Sequence, residues 1–128
     1  MALLCDYANV SSDGKLNIMG IYTEIQPTGF PAVLPTSYLV VSLVASPAEA
    51  NTQKTVRSVL MDMDGKEMGW VEQTFSVPPA ARPGVRSTIN LITRLDGMAF
   101  PKPGDYSFSV LVGGDEKASV PVHVNPPK

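Results

Sequence analysis

The feature that most constrains the fold is a pattern of short, alternating apolar segments separated by glycine and proline turns. The clearest case lies in the last quarter of the chain. Before the turn, apolar side chains occupy every second position: Tyr106, Phe108, Val110 and Val112. After the turn they do so again: Val120, Val122 and Val124. Period two is that of a strand with one buried face. Between them, residues 113–115 read Gly-Gly-Asp, which favours the positive φ angles of a tight turn. The segment predicts a β-hairpin.

The same pattern recurs along the chain and predicts an all-β fold. The predicted strands are 2–10, 15–25, 39–45, 56–63, 67–77, 87–95, 106–112 and 120–124. Residues 39–45 are almost entirely apolar, which is typical of a central strand. The Asp64-Gly65 step predicts a further hairpin. This spacing predicts an immunoglobulin-like antiparallel β-sandwich of about eight strands.

Proline and glycine mark the predicted connections. Residues 26–35 contain three prolines and predict a long loop across the end of the sandwich. We expect a polar loop at 46–53 with a short helical turn near Pro47, a proline-rich loop at 78–84, and a link from Asp96-Gly97 to Gly104. The chain is predicted to form a single domain, 1–128, with a flexible tail at 125–128.

Composition and charge argue against several classes of function. The chain has 128 residues and a formal net charge of −2, without the run of basic residues that nucleic acid binding requires. The longest apolar run, 38–45, is too short for a membrane-spanning helix. The single cysteine, Cys5, cannot form an internal disulfide, and the apolar residues before it are too few for a signal peptide. We therefore expect a cytoplasmic protein, or a component of a virion or other assembly.

The candidate catalytic and metal-binding residues are few. His123 is the only histidine, and its neighbours Val122 and Val124 place it on the opposite, solvent-facing side of its strand. A Cys5–His123 dyad requires the terminal strands to bring the two side chains together. Asp62 and Asp64 form a weak calcium candidate that lacks the spacing of a complete calcium loop. The prediction is therefore no enzyme activity, no cofactor and no catalytic residue.

Three apolar side chains are candidates for contact with a partner. Phe30 and Val33 lie in the predicted long loop, where Phe30 either caps the sandwich or presents a contact. Trp70 lies opposite the Val71 and Phe75 face, so it is either in a second core or exposed. An exposed tryptophan can stack on a sugar or anchor a protein.

Several blocks of the chain resemble a family. They are Cys5-Asp6-Tyr7-Ala8, 14–22 (Gly-Lys-Leu-Asn-Ile-Met-Gly-Ile-Tyr), Phe30-Pro31, Asp64-Gly65 and 103–108 (Pro-Gly-Asp-Tyr-Ser-Phe). In combination they resemble a widespread bacterial family catalogued as a domain of unknown function. The resemblance spans nearly the whole chain and implies a small standalone β-sandwich with no assigned activity.

The functional prediction is a non-enzymatic protein-interaction or structural module. Its partner is another protein or a second copy, and one form is a subunit or decoration protein of a larger assembly such as a phage particle. The alternative is a small-ligand or carbohydrate-binding β-sandwich that uses Trp70 and neighbouring tyrosines.

Overall fold

A computed structural model describes residues 1–79 and 82–127. In that part of the chain it has nine strands: β1 (Ala2–Val10), β2 (Leu16–Tyr22), β3 (Glu24–Ile25), β4 (Ala32–Ala45), β5 (Gln53–Met61), β6 (Glu67–Ser76), β7 (Ser87–Phe100), β8 (Gly104–Val112) and β9 (Asp115–Val124). They form a four-stranded sheet in the order β2-β1-β4-β7 and a five-stranded sheet in the order β3-β9-β8-β5-β6. The predicted all-β sandwich is confirmed, with nine strands where about eight were expected.

The main core lies between the inner faces of the two sheets. Its buried residues include Leu4, Leu39, Val41, Val56, Leu60, Phe100, Tyr106, Phe108, Val110, Val120, Val122 and Val124. The alternating side chains predicted for the closing hairpin thus face inward, as expected. β4 lies between β1 and β7, which confirms that residues 39–45 form a central strand.

The predicted strand 15–25 is wrong as a single element. It divides at Thr23: β2 pairs with β1 in the four-stranded sheet, and β3 pairs with β9 in the five-stranded sheet. Thr23 itself accepts a hydrogen bond from the His123 N–H at 2.8 Å. The β3–β9 pair is parallel. The chain therefore changes sheets here, and β3 covers the edge of β9.

The predicted boundaries of β4 and β7 are also wrong, because each strand is longer than expected. The two pair without interruption of register from Ala32–Phe100 to Ala45–Ser87, so β4 begins inside the predicted loop and β7 passes through the predicted Asp96-Gly97 link. Leu95 and Met98 both pack on the main core, although they are three residues apart. Gly97, at φ 69°, allows the side-chain alternation to reverse between them.

Two predicted turns are present, together with a tyrosine corner. Asp64-Gly65 lies in the turn between β5 and β6, and a short 3-10 turn forms at Pro47–Glu49. The Tyr106 hydroxyl donates to the Lys102 carbonyl at 2.7 Å, a bond of the kind found at the tyrosine corner of immunoglobulin-like sandwiches.

Two hydrogen bonds hold the segment that follows β9. The Asn125 N–H donates to the Ile25 carbonyl, and Gln26 Nε2 donates to the Pro126 carbonyl, both at 2.9 Å. These bonds tie the start of the predicted tail to the segment after β3.

No helix in residues 1–79 and 82–127 is long and apolar enough to cross a membrane.

Candidate functional site

The free edges of the two sheets differ in how they are protected. β6 carries Glu67 and Glu72, and β7 carries Arg94 and Asp96. β3 has only two residues. β2 has seven residues, Leu-Asn-Ile-Met-Gly-Ile-Tyr, with no charge and no proline. Charges, prolines and short length are the usual devices that stop edge strands from pairing with other chains. Among the described strands, β2 therefore has the edge most open to a partner strand.

The turn before β2 determines which backbone groups point to the free edge. The Ser11 N–H donates to the Lys15 carbonyl at 2.8 Å, so this pair is hydrogen-bonded across the hairpin. Such bonds recur at every second pair of an antiparallel ladder. Because the β1–β2 register is constant, Asn17, Met19 and Ile21 bond to β1. The N–H and C=O groups of the alternate residues, such as Leu16, Ile18 and Tyr22, then point away from β1.

Apolar side chains accompany these backbone groups. Met19 is 66% exposed and Ile21 is 60% exposed. Met19 lies directly opposite Tyr7, and the Tyr7 ring packs edge-on against Tyr38, with 5.3 Å between ring centroids. Tyr38, Tyr7 and Met19 therefore form a row that ends at the free edge of β2.

A second, smaller core lies on the side of the four-stranded sheet that faces away from the main core. Cys5, Ala8 and Val40 are buried there, and the partly buried residues around them are Leu3, Leu16, Ile18, Tyr38 and Ile92. Residues such as Leu4 and Val41, adjacent to Cys5 and Val40, face the main core. Leu16 and Ile18 belong to β2, so the edge strand is anchored by packing as well as by backbone bonds.

A buried polar chain fixes the end of β2. The Tyr22 hydroxyl bonds to Ser37 Oγ, and Ser37 Oγ donates to the Cys5 carbonyl at 3.1 Å. Because the single Ser37 proton is used on Cys5, Tyr22 is the donor to Ser37. Burial raises the pKa of Tyr22 above its ordinary value, although the Ser37 bond acts in the opposite direction. Tyr22 therefore stays protonated and connects β2 to β4 across β1.

A cleft on the other side of the sandwich is the second candidate site. It has a volume of about 430 Å³ and lies between β6 and β7, with Leu60, Met68, Leu95, Met98 and Phe108 among its apolar lining residues. Trp70, on its rim, is 55% exposed. The volume falls in the range of small-molecule pockets.

Charged groups complete the surroundings of the cleft. The Arg57 guanidinium lies 4.6 Å from the Trp70 ring centroid and bonds to Glu67 at 2.8 Å. Arg94 bonds to Asp96 at 3.0 Å. The hydrogen bond between them raises the pKa of Arg94 and lowers the pKa of Asp96, so this ion pair stays charged. An aromatic face beside charged donors and acceptors is suited to a polar ligand with an apolar side.

The three predicted contact residues have different environments. Trp70 is exposed at the cleft. Val33 is 56% exposed and pairs with Ala99, which lines the same cleft. Phe30 is half-buried against the main core, so it has the capping position that the sequence left as one of two alternatives. The structure thus brings Val33 near the Trp70 cleft and does not bring Phe30 there.

Cys5 and His123 do not form a dyad. Cys5 lies on the outer face of the four-stranded sheet, where its Sγ bonds to the Tyr7 and Tyr38 carbonyls at 3.5 and 3.7 Å. His123 lies on the outer face of the five-stranded sheet, because its neighbours face the core, and its Nδ1 is 2.5 Å from Asp105. Burial raises the pKa of the Cys5 thiol. The hypothesis of a catalytic Cys5–His123 dyad is therefore wrong.

The calcium candidate residues form a turn. Asp62 Oδ1 accepts the N–H groups of Asp64 and Lys66 at 3.0 and 2.9 Å, which closes the loop between β5 and β6. Within residues 1–79 and 82–127, no three or more acidic, histidine or cysteine side chains gather in a way that could hold a metal ion.

The β2 edge was not among the residues predicted from sequence. Its signal was present, since 16–22 is an uncharged segment with Met19 and Ile21 at alternate positions. However, the sequence does not indicate that β2 lies at the edge of its sheet. That position depends on the crossing of the chain to β3 and on the pairing of β1 with β4.

Comparison with known proteins identifies the family of the chain. No curated protein and no solved structure gives a significant match. Residues 1–125 match the family described as "Family of unknown function (DUF6941)". The chain therefore belongs to this family of unknown function, as its sequence blocks suggested.

Proposed function

We propose that this chain is a non-enzymatic protein-interaction module that binds an extended segment of its partner along β2. The observation that carries the proposal is the free edge of β2, seven uncharged residues long and bordered by the exposed side chains of Met19 and Ile21. Strand addition satisfies the outward backbone groups, and the exposed side chains supply apolar contact.

The free energy that burial of the exposed apolar side chains contributes to binding follows from their exposed fractions. Fully burying a large aliphatic side chain contributes about 1.5–3 kcal/mol. Met19 and Ile21 have well over half of their surface still to bury, so each supplies roughly 1–2 kcal/mol. The rest of the binding energy comes from the new backbone ladder and from Tyr7 beside Met19. Such an interface is adequate for a specific complex without any catalytic group.

One form of the proposal is a subunit of a larger assembly. A sandwich that adds a strand at one edge can continue its sheet into a neighbouring protein, as components of a particle or virion do. The cytoplasm, or such a particle, is the location that accompanies this proposal.

The test is affinity capture with matched baits in cells of the organism that encodes the chain. Met19→Lys places a charge on the β2 edge, whereas Met63→Lys places the same charge on a similarly exposed methionine in the β5–β6 turn. We expect the wild type and Met63→Lys to retain the same defined proteins and Met19→Lys to lose them. Equal capture by all three baits would contradict a role for β2.

A second candidate function is binding of a small ligand, such as a carbohydrate, in the Trp70 cleft. The exposed indole beside Arg94 and Asp96 favours it, because sugars combine apolar faces with hydroxyl groups. A glycan array probed with the wild type and Trp70→Ala tests it. Binding that Trp70→Ala abolishes and Met19→Lys leaves intact would support this function. If the wild type binds no glycan on the array, this second candidate function is ruled out.

A further inference from the structure

We propose that the interior of the cleft between β6 and β7 binds a small, uncharged, apolar molecule that inserts between the two sheets. The inference goes beyond the proposed interaction at β2, which lies at the opposite edge of the four-stranded sheet. It also differs from the sugar candidate, which uses the exposed ring of Trp70 on the rim of the cleft. The new site faces inward, toward the main core.

The floor of the cleft is the main core itself. Leu60 and Phe108 line the cleft and are also buried core residues, only 7% and 4% exposed. They pair with each other in the five-stranded sheet, across β5 and β8. On the opposite wall, Leu95 of β7 belongs to the four-stranded sheet and packs on the same core. The cleft therefore passes between the two sheets and does not lie on the surface of one of them.

A missing side chain on β6 creates the space. Gly69 pairs with Leu60, whose side chain faces the main core, so position 69 also faces inward. A Cβ atom built on Gly69 meets nothing within 4 Å. In a sandwich, side chains at inward positions normally interdigitate with those of the opposite sheet. Position 69 therefore faces an opening that the side chains of this protein do not fill.

Irregular backbone on both edge strands adds apolar side chains to the opening. On β6 the register with β5 skips Met68, which is the extra residue of a bulge. On β7, Gly97 reverses the alternation, so that Leu95 and Met98 both pack on the core. Met68 and Met98 both line the cleft. Methionine side chains are flexible and polarisable, so these two can adjust to the shape of an apolar ligand.

The charges at the cleft cancel and so favour an uncharged ligand. In the described part of the chain, the charged residues that line it are Arg94 and Asp96, which bond to each other at 3.0 Å. Both side chains are more than half exposed, so they lie at the solvent end of the cleft. An ion held between the sheets would lose its hydration without an unpaired opposite charge to compensate. An uncharged molecule avoids this cost, and a single polar group on it can bond to the Arg94–Asp96 pair.

Fluorescence titration of the full chain with N-phenyl-naphthylamine provides the first test. This uncharged aromatic molecule emits strongly only in apolar surroundings, and we expect saturable binding of one molecule per chain. Gly69→Val should abolish the binding, because the valine side chain fills the opening. Gly29→Val is the matched control and should bind as the wild type does. A Cβ on Gly29 also meets nothing within 4 Å, neither glycine has a positive φ, and Gly29 lies outside the cleft. Absence of saturable binding by the wild type, or equal binding by all three proteins, overturns the proposal.

Thermal melting checks that Gly69→Val acts by filling the opening. A valine at an inward strand position buries apolar surface and suits a strand better than glycine does. We therefore expect Gly69→Val to melt at a higher temperature than the wild type while it loses the probe. A lower melting temperature overturns the geometry on which the site rests. Met68→Trp enlarges a side chain on the same wall, and full probe binding by this second variant would also contradict the site.

An anionic form of the probe tests the class of ligand. Anilinonaphthalene sulfonate has the same ring system as N-phenyl-naphthylamine, with a sulfonate group added. We expect it to bind the wild type about tenfold more weakly or worse, a difference of about 1.4 kcal/mol. Equal or tighter binding of the sulfonate that Gly69→Val abolishes would indicate an anion site and overturn the uncharged class.

The proposals at β2 and at the cleft fail independently. Met19→Lys should lose the captured proteins and keep the probe, whereas Gly69→Val should keep the proteins and lose the probe. Trp70→Ala separates the interior of the cleft from its rim. It should keep the probe, because Trp70 follows Gly69 in the strand and its ring faces the other side of the sheet. Loss of the probe in Trp70→Ala as complete as in Gly69→Val would place the ligand on the indole and overturn insertion between the sheets.

Discussion

Replacement of Ser37 by alanine should be unusually destabilising for the loss of one hydroxyl group. Ser37 is 1% exposed, and its Oγ both accepts from Tyr22 and donates to the Cys5 carbonyl. Ser37→Ala leaves the buried Tyr22 hydroxyl without this partner and removes one bond from Cys5. A buried polar group that loses its partner costs about 1–3 kcal/mol. We expect the free energy of unfolding to fall by about 2 kcal/mol.

A double-mutant cycle separates this cost from simple loss of contact. Tyr22→Phe removes the donor but leaves Ser37 bonded to Cys5, so it should cost only about 0.5–1.5 kcal/mol. Once Ser37 is alanine, Tyr22→Phe removes a group that is already unpartnered. The double variant should therefore be no less stable than Ser37→Ala, and the single effects should not add.

The assay is urea unfolding of all variants at one protein concentration, with Ser109→Ala as control. Ser109 is similarly buried at 6%, but its hydroxyl donates to Glu116, whose side chain water can solvate instead. Ser109→Ala should cost about 0.5–1 kcal/mol. On heating, about 2 kcal/mol corresponds to roughly 6–10 °C for a domain of this size. Equal costs for Ser37→Ala and Ser109→Ala, or additive effects in the cycle, would refute the reasoning.

Further predictions concern the corner, alkaline pH and the calcium candidate. Tyr106→Phe should lower stability by about 1 kcal/mol in urea unfolding, because the bond to the Lys102 carbonyl is lost. Burial raises the pKa of Cys5 above its ordinary value of 9.0 and the pKa of Tyr22 above its ordinary value of 10.0. The stability that depends on the neutral forms of these two side chains is therefore complete below about pH 9, and it is lost as pH rises through the folded-state pKa values. Tyr22→Phe should therefore weaken the loss of stability above pH 10, measured as melting temperature against pH, and an unchanged slope would contradict this. Asp62→Ala should lower the melting temperature equally in calcium and in chelator, because Asp62 closes the β5–β6 turn through two backbone N–H groups. A melting temperature that falls only in the presence of calcium would indicate a metal site instead.

The candidate sites were only partly predictable from sequence. The position of Trp70 opposite Val71 and Phe75 followed from alternation along its strand, because period two separates the two faces of a strand. Alternation left open whether the Trp70 face is buried or exposed. The cleft beside Trp70 could not be predicted, since its walls come from β6 and β7, which lie in different sheets. Phe30 could not be placed, because a loop sequence does not specify what the loop covers.

The β2 edge shows the same division more sharply. The sequence shows that 16–22 is uncharged and has Met19 and Ile21 at alternate positions. Whether these side chains are covered depends on which strand lies next to β2. The change of sheets at Thr23 and the β1–β4 pairing leave β2 with β1 as its neighbour within the described chain. The interaction site is therefore a property of topology.

The sequence alone determined the local elements: an all-β chain, the closing hairpin, the Asp64-Gly65 turn and the outward position of His123. Each depends on side-chain period or on turn residues that act within a few positions. The tertiary structure decided how strands are shared between sheets, where alternation reverses at Gly97, and which edge remains free. These depend on contacts between residues distant in the chain, which local patterns cannot encode because many pairings satisfy the same alternation.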